Sequence, residues 1–146
     1  LLAGKDIIIR NPNSIRPWQF VLEPLTGYLT LVEDLYDNGI ENSGAFNFGP
    51  DENDIQPVEW IVKKMTDLWG NNAKYKVISN PKDFHEAKFL KLDCAKAKSV
   101  LNWKPVWNIE KTIEKIIEWY QNYINKKDMY KISEEQIKQF LCDRFK

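Results

Sequence analysis

Histidine is all but missing from this sequence, with His85 the single one in 146 residues. The two cysteines, Cys94 and Cys142, lie far apart and make no C-x-x-C pair. Zinc knuckles, dithiol redox motifs and multi-histidine metal centres are thereby excluded, and no metal is expected. Net charge is missing too: 21 Lys and Arg balance 21 Asp and Glu. Nothing therefore draws the chain as a whole toward nucleic acid or an anionic membrane. The lysines are interleaved with acids along the helices, as on solvated faces. No apolar run approaches the length of a membrane span, and no segment has the regions of a signal peptide. A soluble, cytoplasmic protein is the expectation.

The motifs of several chemistries are also lacking. There is no Gly-x-Gly-x-x-Gly and no Gly-x-x-x-x-Gly-Lys, hence no loop of this chain's own to cradle phosphates. No serine sits in Gly-x-Ser-x-Gly, and neither cysteine has a nearby histidine. Tyr123 and Lys127 have Tyr-x-x-x-Lys spacing, but at the fraying end of a helix, where an interface tyrosine and a solvated lysine are the ordinary occupants. No catalytic residue is expected within the chain. Its start, Leu1-Leu2-Ala3-Gly4, has no Met and runs straight into an apolar strand, which reads as a piece beginning partway through a fold.

Aromatics, by contrast, are plentiful. Six Trp, six Tyr and seven Phe exceed what a core this size needs, so some should line a groove or an interface. A hydrophobic share of 43% with 29% charged residues argues against disorder.

Short apolar runs alternate with helical periodicity, so the expected class is α/β. Strands are predicted at Asp6–Arg10, around Ile7-Ile8-Ile9, at Ala45–Phe48 and at Tyr75–Ile78, with Phe89–Leu92 extended. Helices are predicted over about 21–36, 56–69, 94–101 and 109–124, and from the capping box Ser133-Glu134-Glu135-Gln136 to about Arg144. Asp54 is the expected N-cap of the second, Asp93 of the third and Asn108 of the fourth. The first helix carries Val21, Leu22, Leu25, Tyr28, Leu29, Val32, Leu35 and Tyr36 at three- and four-residue spacing. Lys126-Lys127-Asp128 is a polar joint. Residues 1–128 are read as one region and 129–146 as a terminal helical extension. The few strands leave Ile7-Ile8-Ile9 and the first helix short of partners, so both are expected to pack against a domain outside this chain.

Three loops could bind a ligand. In Arg16-Pro17-Trp18-Gln19-Phe20, Pro17 keeps Arg16 extended beside Trp18. Such an arginine suits a forked contact to phosphate, or else folds over the indole. In Ala45-Phe46-Asn47-Phe48-Gly49-Pro50, alternation sets Asn47 apart from the two phenylalanines. It could hold a ligand hydroxyl or satisfy neighbouring backbone. In Asp83-Phe84-His85-Glu86-Ala87, His85 and Glu86 could clamp a cleft mouth or stay solvated.

Taken in order, these loops resemble a known family. Ile15-Arg16-Pro17-Trp18-Gln19 followed by Val21-Leu22-Glu23-Pro24-Leu25-Thr26-Gly27-Tyr28-Leu29 is similar to a segment of the CDP-glucose 4,6-dehydratases. These are a branch of the extended short-chain dehydrogenase/reductase (NAD-dependent epimerase/dehydratase) family. The likeness continues through Phe46-Asn47-Phe48-Gly49-Pro50, His85-Glu86-Ala87, Leu90-Lys91-Leu92-Asp93, Leu101-Asn102-Trp103-Lys104-Pro105-Val106-Trp107 and Trp119-Tyr120. Glu23, seven residues after Arg16, fits the pattern, whereas Phe20 stands where the family usually has His. The resemblance implies the C-terminal substrate-binding portion of a Rossmann-like enzyme, with the N-terminal dinucleotide-binding half lying outside this chain. The parent enzyme would use NAD, which this portion would not itself bind. It would convert CDP-glucose to a 4-keto-6-deoxy sugar for lipopolysaccharide O-antigen, and would be a homo-oligomer. The resemblance assigns substrate-binding roles to Arg16, Trp18, Asn47, His85 and Glu86, with Arg16 at the diphosphate. The competing readings are the same portion of another nucleotide-sugar dehydratase or epimerase, and a non-catalytic binding module.

Overall fold

A computed structural model describes residues 1–78 and 87–146. The described chain is mixed α/β. Strand β1 (Ile7–Ile9) is followed by helices α1 (Leu22–Asn38) and α2 (Val58–Trp69), then strand β2 (Tyr75–Val77). Helices α3 (Ala95–Leu101), α4 (Ile109–Ile124) and α5 (Met129–Arg144) complete it. β1 and β2 pair in parallel, with Ile7 opposite Tyr75 and Ile9 opposite Val77. Ile15 extends this surface through single bridges to Pro57 and Phe89, the latter within the segment expected to be extended.

α4 follows its sequence pattern closely. Asn108 Oδ1 accepts from Lys111 N at 2.9 Å, the expected cap. The three-and-four spacing then puts Ile109, Ile113 and Ile117 on one buried face against Ile61 of α2. Burying each such side chain stabilises by roughly 1.5–3 kcal/mol relative to leaving it in water. A second cluster joins Phe48, Ala97, Leu101 and Trp103. A third joins Phe20, Trp107 and Phe140, and so seats α5 on the start of α1 and the segment before α4.

Several local expectations are corrected. Asp54 does not cap α2. Its Oδ1 accepts from Ile109 N at 3.0 Å, so it serves the first turn of α4 across space. The first amides of α2 are taken instead by backbone: Val58 N donates to Ser14 O at 2.9 Å and Glu59 N to Pro12 O at 3.0 Å. Helix α5 starts a turn earlier than the Ser133 capping box. Asp128 Oδ1 accepts from Tyr130 N at 3.1 Å and Lys131 N at 3.3 Å. Ser133 lies inside the helix, where its Oγ accepts from Trp119 Nε1 at 3.0 Å. Ala45–Phe48 forms no strand. Side chains bind this segment: Gln19 Nε2 donates to Phe48 O at 2.8 Å, and Asn47 Nδ2 donates to Asp93 O at 3.1 Å.

Helix α1 leaves its apolar stripe uncovered, as expected of a helix short of partners within the chain. Its buried residues are Glu23, Thr26 and Gly27. Its apolar stripe faces outward, with Val21, just before the helix, and Leu29 and Val32 each more than 60% exposed and Tyr36 89% exposed. Gly27 is buried because the Phe48 ring lies directly on its backbone, where a Cβ would overlap it.

Candidate functional site

A cleft with an apolar floor of Ile7, Ile9 and Val62 and a few polar side chains runs beside β1. Arg10 and Asn11 enter it from the end of the strand. Ser14, Arg16 and Trp18 enter from the following loop, and Val58 from α2. Its volume is about 520 Å³, within the range that holds a small ligand. The loop is built by local chemistry. Trp18 N donates to Arg16 O at 2.9 Å, a three-residue turn centred on Pro17. That turn sets Arg16 and Trp18 side by side on the cleft wall. Arg16 Nη1 donates to Ile15 O at 2.8 Å and to Ala87 O at 2.9 Å. The guanidinium thus ties the β1 side of the cleft to the first described residue after the 79–86 segment.

Of the residues singled out from the sequence, Arg16 and Trp18 share this cleft. Trp18 is 39% exposed and offers an indole surface there. Asn47 does not line it. It is exposed, and its amide bonds the Asp93 carbonyl. That places it beside Leu92, Cys94 and Lys98, which line a separate indentation. His85 and Glu86 lie outside the described residues. Sequence reading missed Arg10 and Ser14. The signal for Arg10 was its place at the end of Ile7-Ile8-Ile9, ahead of Asn11-Pro12. A charged residue there ends the strand on the same side as Arg16. Ser14 is 5% exposed and carried no signal beyond its position two residues before Arg16.

Glu23 stands behind this site rather than in it. Its side chain is fully buried. Its two oxygens accept from Val106 N at 2.9 Å and Trp107 N at 2.8 Å. Burial pushes its carboxyl above the usual carboxylate value, opposed by those two backbone bonds and by the Arg144 guanidinium. Cys94, also buried, has its thiol pushed up by desolvation and is not an activated nucleophile.

The chain's glycines do not fit a dinucleotide. Gly27 and Gly49 lie in close packing, against Phe48 and against Leu92 and Cys94 respectively. Gly39 and Gly70 end α1 and α2 with positive φ. Neither Gly4 nor Gly44 opens a strand–turn–helix unit. No step involving NAD is therefore assigned to these residues. Among the described residues no three of His, Cys, Asp and Glu gather as metal ligands would, and no helix is long and apolar enough to cross a membrane.

Sequence comparison finds this mixed α/β chain similar to a dehydratase. The particular relative is the CDP-glucose 4,6-dehydratase of Salmonella typhimurium strain LT2. It is 43% identical over 138 residues, 94% of this chain. The chain spans 38% of that relative's length. No protein-family profile matches the chain. The resemblance drawn from the loops is thus one to a CDP-glucose 4,6-dehydratase along nearly the whole chain.

Proposed function

We propose that this chain is the C-terminal, substrate-binding portion of an NAD-dependent CDP-glucose 4,6-dehydratase of the extended short-chain dehydrogenase/reductase type. The observation that carries the reading is the cleft in which Arg10, Arg16 and Trp18 meet beside β1, on a chain 43% identical to such a dehydratase. A nucleoside diphosphate needs cations for its phosphates and an aromatic surface for its base or ribose, and this cleft carries both. The remainder of the parent would supply the glycine-rich cradle for NAD, the Tyr-x-x-x-Lys proton-transfer set and the groups that eliminate water. The reaction would oxidise C4 of the sugar, eliminate water across C5–C6 and return the hydride to C6. The resemblance also assigns substrate-binding roles to His85 and Glu86, which lie outside the described residues. Asn47 has the weaker case, because its amide is engaged by backbone. Taken alone, the chain would bind the nucleotide sugar weakly and turn over none of it.

Arg16 provides the test. A charge-assisted contact to phosphate is worth roughly 1.5–3 kcal/mol. Arg16→Ala in the full-length enzyme should therefore weaken CDP-glucose binding about tenfold to a hundredfold. Arg16→Lys should restore part of that, and NAD affinity should hold. Arg16 also ties Ile15 to Ala87, so melting temperature must be measured on the same variants. A loss of thermal stability with the substrate Kd within twofold of wild type would reduce Arg16 to a structural tie.

A further inference from the structure

The corner after α1 brings two chemically labile dipeptides together. Asn38-Gly39 is the only Asn-Gly pair in the sequence, and Asn42-Ser43 follows it closely. Asn38, Gly39 and Ser43 are exposed. An asparagine before a residue with little or no side chain is labile because the next backbone nitrogen can reach its side-chain carbonyl carbon. Gly39 has no Cβ to block that approach and sits at φ 72°. Two sets of bonds hold the reaction off. One carboxylate grips both side chains: Asn38 Nδ2 donates to Asp34 Oδ1 and Asn42 Nδ2 to Asp34 Oδ2, each at 2.9 Å. The attacking nitrogens are engaged as well. Gly39 N donates to Leu35 O, and Ser43 N to Ile40 O. The surroundings are acidic. Glu33, Asp37 and Glu41 flank the grip, and no Lys, Arg or His stands between Arg16 and Lys63. The cations that approach from other elements are bonded elsewhere, Arg144 to Thr30 Oγ1 and Lys96 to the Ala45 carbonyl.

We propose that Asn38 is a site of spontaneous deamidation gated by Asp34, and that its conversion exposes Asn42 to the same reaction. When the last turn of α1 frays, the Gly39 nitrogen attacks Asn38 Cγ. The Cγ–Nδ2 bond breaks, ammonia leaves with the Gly39 amide proton, and a five-membered imide remains. Water then opens the ring. Cleavage at Cγ gives aspartate with the backbone restored. Cleavage at the backbone carbonyl gives isoaspartate, with the chain rerouted through Cγ. Nothing is oxidised or reduced. Either product carries a carboxylate where the amide donor was. Asp34 then faces a like charge one turn on, at the helix end where negative charge is least favoured. It turns away, and Asn42 loses its partner with it. The inference is independent of the functional reading above.

The test incubates this chain in warm, mildly alkaline buffer and follows each asparagine by fragmentation mass spectrometry. Isoaspartate is read by methylation with an isoaspartyl methyltransferase. Asn13-Ser14 is the internal reference, since Ser14 is 5% exposed and its N–H bonds Asn11 O. Asn38 should convert first, at least about tenfold faster than Asn13, as a site at a fraying helix end is. Asp34→Ala should speed Asn38 by about threefold to tenfold, the range that one exposed hydrogen bond covers. Asn38→Asp reproduces the first product and should speed Asn42 by a similar factor. Asn38→Gln keeps an amide for Asp34 but closes its ring slowly, and should leave Asn42 at the wild-type rate. Asn38 converting no faster than Asn13 overturns the site. An unchanged Asn38 rate in Asp34→Ala overturns the gate, and so does a parallel rise at Asn13, which would mean general loosening. Equal Asn42 rates in Asn38→Asp and Asn38→Gln overturn the coupling.

Discussion

Glu23 shows how much one side chain can organise. It sits in the first turn of α1, yet its carboxylate holds the backbone amides of residues 106 and 107, more than 80 positions away. Glu23→Gln would turn an N–H donor toward one of those amides. An amide left unsatisfied in a buried place costs about 1–3 kcal/mol, so denaturant unfolding at neutral pH should show a loss of that order. The pH dependence follows from burial. The folded-state carboxyl titrates above its ordinary value of 4.5, so the folded protein holds this proton more tightly than the unfolded chain. Its contribution is fully present below the unfolded value and is lost as pH rises through the folded one. The stability of wild type relative to E23Q should therefore increase as pH is lowered through the window just above 4.5. A difference that does not change with pH would show that Glu23 titrates alike in both states. Gly27 is the second residue of this kind. A helix-interior glycine ordinarily costs up to about 1 kcal/mol against alanine. Here a methyl would meet the Phe48 ring, which also packs edge-on to Trp103. Gly27→Ala should thus lower stability by about 1–3 kcal/mol despite its better helix propensity, a sign that thermal unfolding would check.

At the scale of elements, α5 is the informative helix. Seven of its sixteen residues are apolar, yet Phe140 alone of them is buried, against Phe20 and Trp107. Trp107 Nε1 adds a 3.0 Å bond to Asp143, and Arg144 Nη2 a 2.9 Å bond to Thr30 of α1. Two further side-chain bonds tie it to α4: Trp119 Nε1 donates to Ser133 Oγ at 3.0 Å, and Gln136 Nε2 donates to the Lys115 carbonyl at 2.9 Å. Phe140→Ala should cost about 3–5 kcal/mol and free α5 before the other helices. Amide exchange resolved by residue would then show 129–144 losing protection first. Uniform loss across the chain would mean that α5 is needed for the rest to stay folded.

For the whole molecule, the three apolar clusters are joined by polar connections rather than by one continuous core. Asp54 links the turn before α2 to α4, and Glu23 links α1 to the segment before α4. Because each connection crosses between clusters, unfolding one should unfold the others. Denaturation followed by tryptophan fluorescence and by far-UV circular dichroism should give coincident transitions. Separate midpoints would divide the chain into independently folding parts.

What the sequence determined by itself is what near-neighbours decide. The positions of α2 and α4, the Asn108 cap and the short β1 were legible, since each depends on spacing or capping within a few residues. The turn that sets Arg16 beside Trp18 was legible for the same reason, because Pro17 acts on its immediate neighbours. Tertiary structure decided the rest. Asp54 looked like a cap for the nearest helix and serves a more distant one, because hydrogen-bond geometry is met in space. Asn47 bonds a carbonyl 46 residues away, and Arg10 belongs to the cleft only once the strand is in place. The three-and-four stripe of α1 was plain to read, but periodicity reports that a helix has an apolar face without saying what covers it. Packing turned that face outward, because Phe48 needs the flat backbone at Gly27 and the amides of 106 and 107 need Glu23.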